Sequence, residues 1–265
     1  MVSVKIKEVV NALEQFAPLP LQEDYDNAGL QVGLTDAEVS GALLCLDVTE
    51  ETVDEAVSRG CNLIVAHHPL IFHKLARITD ENYVERTVMK ALEQHVTIVA
   101  MHTNMDAARG GVNFMIAEKL HLVDVDFFGH RQEVEGVEGG EGVIGRLQEP
   151  MAADDFIIAL KETFGVEAVQ ANQLLRRPIE RVALCGGAGS FLLNEAIRQR
   201  ADAFITGEMH YHEFFGHEQQ IQIAVLGHYQ SEQFTPEIFR RIIQSKCPGV
   251  RAVLSDINTN PIIYF

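Results

Sequence analysis

Five residues stand where apolar runs end, and their side chains are those that bind metal ions. His67 and His68 follow Leu63-Ile64-Val65-Ala66 directly. Asp106 comes shortly after Ile98-Val99-Ala100-Met101, and His228 and Glu232 follow Ala224-Val225-Leu226-Gly227. Imidazole nitrogen and carboxylate oxygen suit borderline divalent ions, zinc above all, with manganese and iron next. Thiolates are absent from the group, which argues against a structural cysteine-type zinc site. Adjacent histidines on an extended segment point to opposite sides, so His67 and His68 serve two ions, or one ion after a local bend. Asp106 has two oxygens and could bridge two ions. His228 and Glu232, four apart, face the same way if a helix begins there. Taken singly, each residue has a plainer reading: a hydrogen-bonded histidine, or an aspartate capping a helix. Five of them at three equivalent strand ends favour metal. His73, His95, His121, His130 and His217 lack such company and read as structural.

Two further segments could serve the same site. In Gly207-Glu208-Met209-His210-Tyr211-His212, Glu208 and His212 have the spacing of a helical pair and are the candidate catalytic residues, as proton carriers or as partners of the ligands. His102 is a third candidate for handling protons. Cys185-Gly186-Gly187-Ala188-Gly189-Ser190 could cradle an anion at a helix start, or could be a tight turn. It lacks the Gly-Lys-Ser/Thr of a P-loop, the Gly-x-Gly-x-x-Gly of a dinucleotide fold and the Gly-x-Ser-x-Gly of a nucleophile elbow. The sequence contains no His-Glu-x-x-His, which removes the zinc peptidase reading.

These side chains need parallel strands to bring them to one edge. Apolar periodicity predicts a helix over Val4 to Phe16, turns around a short extended stretch at Tyr25 to Gly33, and then an alternation. It runs strand Ala42–Leu46, helix Glu50–Arg59, strand Leu63–Ala66, helix Asn82–Gln94 and strand Val96–Met101. Val123 to Asn172, rich in glycine, reads as a connecting region with a hairpin and a helix from Ala152 to Phe164. Alternation resumes with strand Arg181–Cys185, helix Ser190–Arg200 and strands Ala203–Thr206 and Gln222–Leu226. A helix over Pro236–Gln244 and short strands near Ala252 and Ile262 complete it. The expected class is α/β, with mixed or mostly parallel sheets in two similar, duplicated domains and the metal site between them. The expected domains are 1–125 and 126–265. The duplication rests on an offset of 140 residues, which lays Leu44-Cys45 over Leu184-Cys185, and an offset of 126, which lays His102 over His228 and Asp106 over Glu232.

Composition narrows the alternatives. The 265 residues carry 21 Lys and Arg against 38 Asp and Glu, a net charge of −17, the opposite of what phosphate neutralisation needs, so a nucleic-acid partner is not expected. Four cysteines without CxxC spacing read as reduced thiols. No apolar run is long enough to cross a bilayer, and the first helix is not a signal peptide, so the expected location is cytoplasmic.

His67-His68-Pro69 after one strand and Thr103-Asn104-Met105-Asp106 after the next, with Tyr25-Asp26-Asn27-Ala28-Gly29-Leu30-Gln31-Val32-Gly33 near the N-terminus, form a recognisable set. Together with Thr206-Gly207-Glu208 and the late His228-x-x-x-Glu232, they resemble the NIF-three-like family, the GTP cyclohydrolase 1 type 2 homologues, over nearly the whole chain. Tyr25 stands where many members have Trp, and the connecting region is too short for the extra domain some members carry, so this resembles the compact version. The resemblance implies that His67, His68, Asp106, His228 and Glu232 hold two metal ions, in two similar α/β domains and a homohexameric ring. The expected function is a metal-dependent hydrolase of a nucleotide or phosphoester. The alternative is a non-catalytic metal-binding ring, acting as a scaffold or partner-binding protein.

Overall fold

A computed structural model describes residues 3–263. The chain divides into two compact units, one made of the residues up to Met105 with those from Thr235 onward, the other of Asp106–Phe234. Along the chain, the elements up to the first crossing are α1 (Ile6–Phe16), β1 (Gly29–Val32), β2 (Ala42–Cys45), α2 (Glu50–Ser58), β3 (Leu63–Ala66), α3 (Tyr83–Glu93), β4 (Thr97–Ala100) and α4 (Thr103–Ala107). Next come α5 (Val112–Lys119), β5 (Val123–Val134), β6 (Val137–Met151), α6 (Ala153–Phe164), β7 (Gln170–Ala171), β8 (Ile179–Cys185), α7 (Leu193–Arg198), β9 (Ala203–Thr206), β10 (Gln222–Val225) and α8 (His228–Glu232). The last are α9 (Thr235–Lys246) and β11 (Ala252–Leu254).

The first unit is built on a five-stranded sheet, β1-β4-β3-β2-β11, in which all neighbours run parallel except β1 against β4. β2, β3 and β4 are buried at every residue, because helices cover both faces of a parallel sheet, and this is why they read as unbroken apolar runs. Leu43, Ile64 and Ile98 join Val53 of α2 and Val88 of α3 in one core. α2 starts at a reciprocal cap: the Thr52 amide donates to the Thr49 hydroxyl (3.3 Å) and the Thr49 amide to the Thr52 hydroxyl (2.8 Å). Thr49→Ala is expected to cost about 1 kcal/mol, read as a lower urea midpoint with an unchanged slope.

The second unit carries a six-stranded sheet, β5-β6-β8-β9-β10-β7, with β8, β9 and β10 parallel and the rest antiparallel. Its core gathers Phe128, Ala183, Phe204 and Ile223 with Leu193 and Ala196 of α7. The glycine-rich stretch, expected as a connecting region with a hairpin, does form a hairpin, and its two long strands belong to this sheet. A Cβ at Gly140 would stand 2.7 Å from the Phe127 ring and one at Gly142 would stand 2.4 Å from the Phe128 ring, so these glycines make room for two buried phenyls.

The two sheets share a motif. Ala42 pairs with Leu63 in the first and Val182 with Ala203 in the second, the register that the 140-residue offset requires. In each, an antiparallel strand lies beyond the third parallel one, β1 on β4 and β7 on β10. The third strand differs from expectation by one residue: Leu63 pairs with Thr97, and Ala203 pairs with Gln222, not Ile223. Counted from these ladders, His102 matches Gly227, and Thr103, which opens α4, matches His228, which opens α8.

The unit boundaries also differ from a single division at 125, because the C-terminus returns to the first unit. α9 packs on α1, β2 and β3, β11 pairs with β2 from Ala252↔Ala42 to Leu254↔Leu44, and the Arg251 guanidinium donates to the carbonyls of Arg59 (2.7 Å) and Gly60 (3.2 Å). The strand expected near Ile262 is not seen among the described residues, which end at Ile263. All four cysteines are buried thiols outside any disulfide, and no helix among the described residues is long and apolar enough to cross a membrane.

Candidate metal centre

In the first unit, β3 and β4 run parallel and in step, Ala66 beside Ala100, so whatever follows them emerges at one sheet edge. His67 and His68 lie in a bend directly after Ala66, and His102 lies between Met101 and α4. The bend answers the question of direction, since the two neighbouring rings converge with centroids 4.8 Å apart, and the His102 ring lies 5.3 and 5.4 Å from them. One nitrogen from each of His67, His68 and His102 lies within 4.8 Å of the others.

Each ring is held by its Nδ1. His67 Nδ1 meets the Met101 carbonyl at 2.9 Å, His68 Nδ1 meets Asp47 Oδ1 at 2.7 Å, and His102 Nδ1 meets Asp26 Oδ1 at 2.7 Å. A carbonyl or carboxylate oxygen can only accept here, so Nδ1 carries the proton and the lone pair of the neutral ring is on Nε2, the tautomer suited to binding a metal. The donor chemistry therefore fits a borderline divalent cation. Burial opposes ionisation of Asp26, but hydrogen bonds from His102, Thr103 and the Asn27 amide outweigh it and bring its pKa to about 2. Asp47 is held below the usual carboxylate range in the same way, against burial, by His68 and Thr259.

In the second unit, β9 and β10 end together, Thr206 beside Val225. His228 opens α8 and Glu232 closes it, with His228 Nε2 3.2 Å from Glu232 Oε2. Glu232 is 3% exposed, an unusual place for a carboxylate. Glu208 Oε1 lies 3.1 Å from His228 Nδ1, the relation that Asp47 has to His68. Asp106 is in α4, and its carbonyl accepts from Asn113 Nδ2 (3.2 Å). Asn113 Oδ1 in turn accepts from the Gly186 amide (2.9 Å).

The glycine loop proves to be a tight turn that supports these residues. Its amides are already engaged by protein acceptors, Gly186 by Asn113, Gly187 by Ser231 Oγ (3.0 Å) and Gly189 by Thr206 Oγ1 (3.1 Å), so they do not form an anion cradle. The expected helical pairing of Glu208 with His212 is not formed, because Met209 and His210 are not helical and a 3-10 turn begins only at Tyr211. Glu208 turns to His228, whereas the exposed His212 ring packs against Tyr211 and Phe215.

In the sequence His102 reads as a proton carrier and as the counterpart of His228, not as a ligand, and Asp26 and Asp47 do not read as partners of a site. Asp47 had a usable signal, because it follows the end of β2 much as His67 follows β3.

The fold and these side chains define an α/β protein with two mixed sheets, whose histidines and carboxylates are grouped so that they could hold a metal. The sequence model of the Duf34/NIF3 (NGG1p interacting factor 3) family matches residues 4–261, and the chain belongs to that family. A Lactococcus lactis protein named GTP cyclohydrolase 1 type 2 homolog is 32% identical over 265 residues, covering 97% of this chain and 98% of that one. A Clostridium acetobutylicum protein of the same name is 30% identical over 232 residues, 87% and 86% of the two chains. Among solved structures, the Staphylococcus aureus protein SA1388 superposes with a TM-score of 0.90 at 26% identity, over 100% of both chains.

Proposed function

We propose that this chain is a metal-dependent hydrolase that binds two divalent cations through His67, His68, Asp106, His228 and Glu232. Zinc is the preferred ion, with iron or manganese as substitutes, and the substrate is a nucleotide or related phosphoester. The homohexameric ring that the family resemblance implies, and the cytoplasmic location expected from the sequence, are part of the same reading. The observation that carries it is the group of imidazoles His67, His68 and His102, each bonded through Nδ1 to an oxygen acceptor and each therefore presenting Nε2.

When bound, two such cations supply Lewis acidity and an activated water. The chain's own residues supply orientation. Glu208 fixes the His228 ring, and Asp26 fixes His102, which is placed to bind or to pass a proton. A nucleotide is favoured over a simple phosphoester by exposed rings a few residues beyond Glu208: Tyr211 and Phe215 are 72% and 57% exposed, with centroids 5.3 Å apart. The turn that bears them is anchored by Phe214 and Met209, which pack on the core. Exposed aromatic faces of this kind stack on nucleobases.

The test is a hydrolysis screen of zinc- and manganese-loaded protein against nucleoside triphosphates, cyclic nucleotides and p-nitrophenyl phosphate, with Asp106→Ala as control. Metal-dependent turnover that Asp106→Ala loses, larger on nucleotides than on p-nitrophenyl phosphate, is expected. Stoichiometric metal without turnover on any of them would favour the scaffold reading, and no bound metal would overturn both.

A further inference from the structure

We infer that Thr259, in the C-terminal segment, is a positioning residue for the metal centre, acting through Asp47 on the His68 imidazole. The inference rests on the reading of His68 as a ligand. The Thr259 hydroxyl donates to Asp47 Oδ2 at 2.5 Å, while Asp47 Oδ1 accepts from His68 Nδ1 at 2.7 Å. The two oxygens of one carboxylate are thus engaged in different directions, which fixes its rotation and so fixes the plane of the ring it holds. Imidazole ligands depend on such outer partners for both tautomer and aim.

Among the described residues, the segment that delivers Thr259 has no helix or strand after Leu254, yet it is tied down residue by residue. The Ser255 amide donates to the Leu44 carbonyl (2.8 Å), continuing the line of β11 along β2. The Ser255 hydroxyl and the Asp256 amide (2.9 Å) both donate to the Glu55 carboxylate on α2. Arg59 bridges Glu55 (2.9 Å) and Asp256. Asn258 then closes a turn by accepting from the Asn260 amide (2.9 Å). Three anchors before Thr259 and one turn around it place a single hydroxyl on Asp47. Asp47 itself follows β2, so the carboxylate and the hydroxyl that steers it come from opposite ends of the chain, brought together by the β2–β11 pairing.

The experiment is zinc affinity of the full chain by competition with a chromophoric chelator, for the unaltered protein, Thr259→Val and Thr259→Ser, with nitrogen-15 imidazole spectra of the metal-free proteins. Thr259→Val, close in shape but without a hydroxyl, is expected to weaken zinc binding about tenfold and to shift the His68 Nδ1–H resonance. Thr259→Ser is expected to restore both. Should Thr259→Val fail to fold, Thr259→Ala carries the same comparison. Unchanged affinity in the hydroxyl-free variant, or equal loss in Thr259→Ser, would overturn the role of the hydroxyl. Absence of zinc from the unaltered chain would instead overturn the assignment of the ligands.

Discussion

Asp106→Ala is expected to yield a folded protein that leaves purification with its divalent metal sharply reduced, against about two ions per unaltered chain. The fold should survive for local reasons. Asp106 belongs to the five-residue helix α4, and its backbone carbonyl holds Asn113 and through it the Gly186 amide. Alanine keeps that carbonyl and is a better helix former than aspartate. The metal should not survive, because loss of an outer partner alone costs about 10- to 100-fold in affinity and loss of a ligand costs more. His67→Ala is the poorer probe for this purpose. His67 is fully buried, so its removal leaves a cavity and confounds lost binding with lost stability. Elemental analysis read beside far-ultraviolet circular dichroism separates the two, and full metal content in a folded Asp106→Ala protein would remove Asp106 from the ligand set.

What could be read beforehand follows from which interactions leave a local trace. The four-residue strands β2, β3, β4, β9 and β10, and the last four residues of β8, are buried on both faces, and such mostly apolar runs are visible without knowing their partners. Residues at their ends inherit that visibility, which is why His67, His68 and His228 stood out. Pairings between distant segments leave no such trace. Nothing in Ala252-Val253-Leu254 names Ala42-Leu43-Leu44 as its neighbour, so the return of the C-terminus to the first sheet, and Thr259 with it, was not legible. The partners of the imidazoles were hidden for the same reason: Asp26 lies 76 residues from His102 and Asp47 lies 21 from His68. Glu208 reads in the sequence as a proton carrier or partner of the ligands through its helical spacing with His212; the non-helical backbone does not make that pairing, and Glu208 lies beside His228 instead. The slip of one residue in matching His102 to His228 arose because alignment by side-chain type has no access to ladder register.

Thr206-Gly207-Glu208 carries the second large prediction, because each of its residues has a separate task around one carbonyl. Gly187 O receives the Gly207 and Glu208 amides at 2.9 Å and the Thr206 hydroxyl at 3.3 Å. A Cβ at Gly207 would stand 2.6 Å from that oxygen, 2.7 Å from Ser231 Oγ and 3.0 Å from Gly187 Cα. Two of these are backbone atoms, which cannot swing aside. Nor can Gly187 retreat freely, since it has φ of 55° and a Cβ placed there would lie 2.3 Å from Glu232 Oε1 and 3.4 Å from His228 Nε2. The crowding introduced by Gly207→Ala therefore passes through Gly187 to the buried carboxylate and the imidazole beside it. Overpacking of this kind costs about 1–3 kcal/mol, and a chain of this size should lose about 2–4 °C in Tm for each kcal/mol. Metal content should fall as well, because the backbone of Glu208 and the side chain of Glu232 shift together and His228 contacts both carboxylates. The check is a urea titration of metal-free protein followed by metal analysis after reloading. A Gly207→Ala protein with unchanged midpoint and unchanged metal would show that the loop yields without disturbing the ligands, whereas loss of stability with metal retained would confine glycine's role to packing.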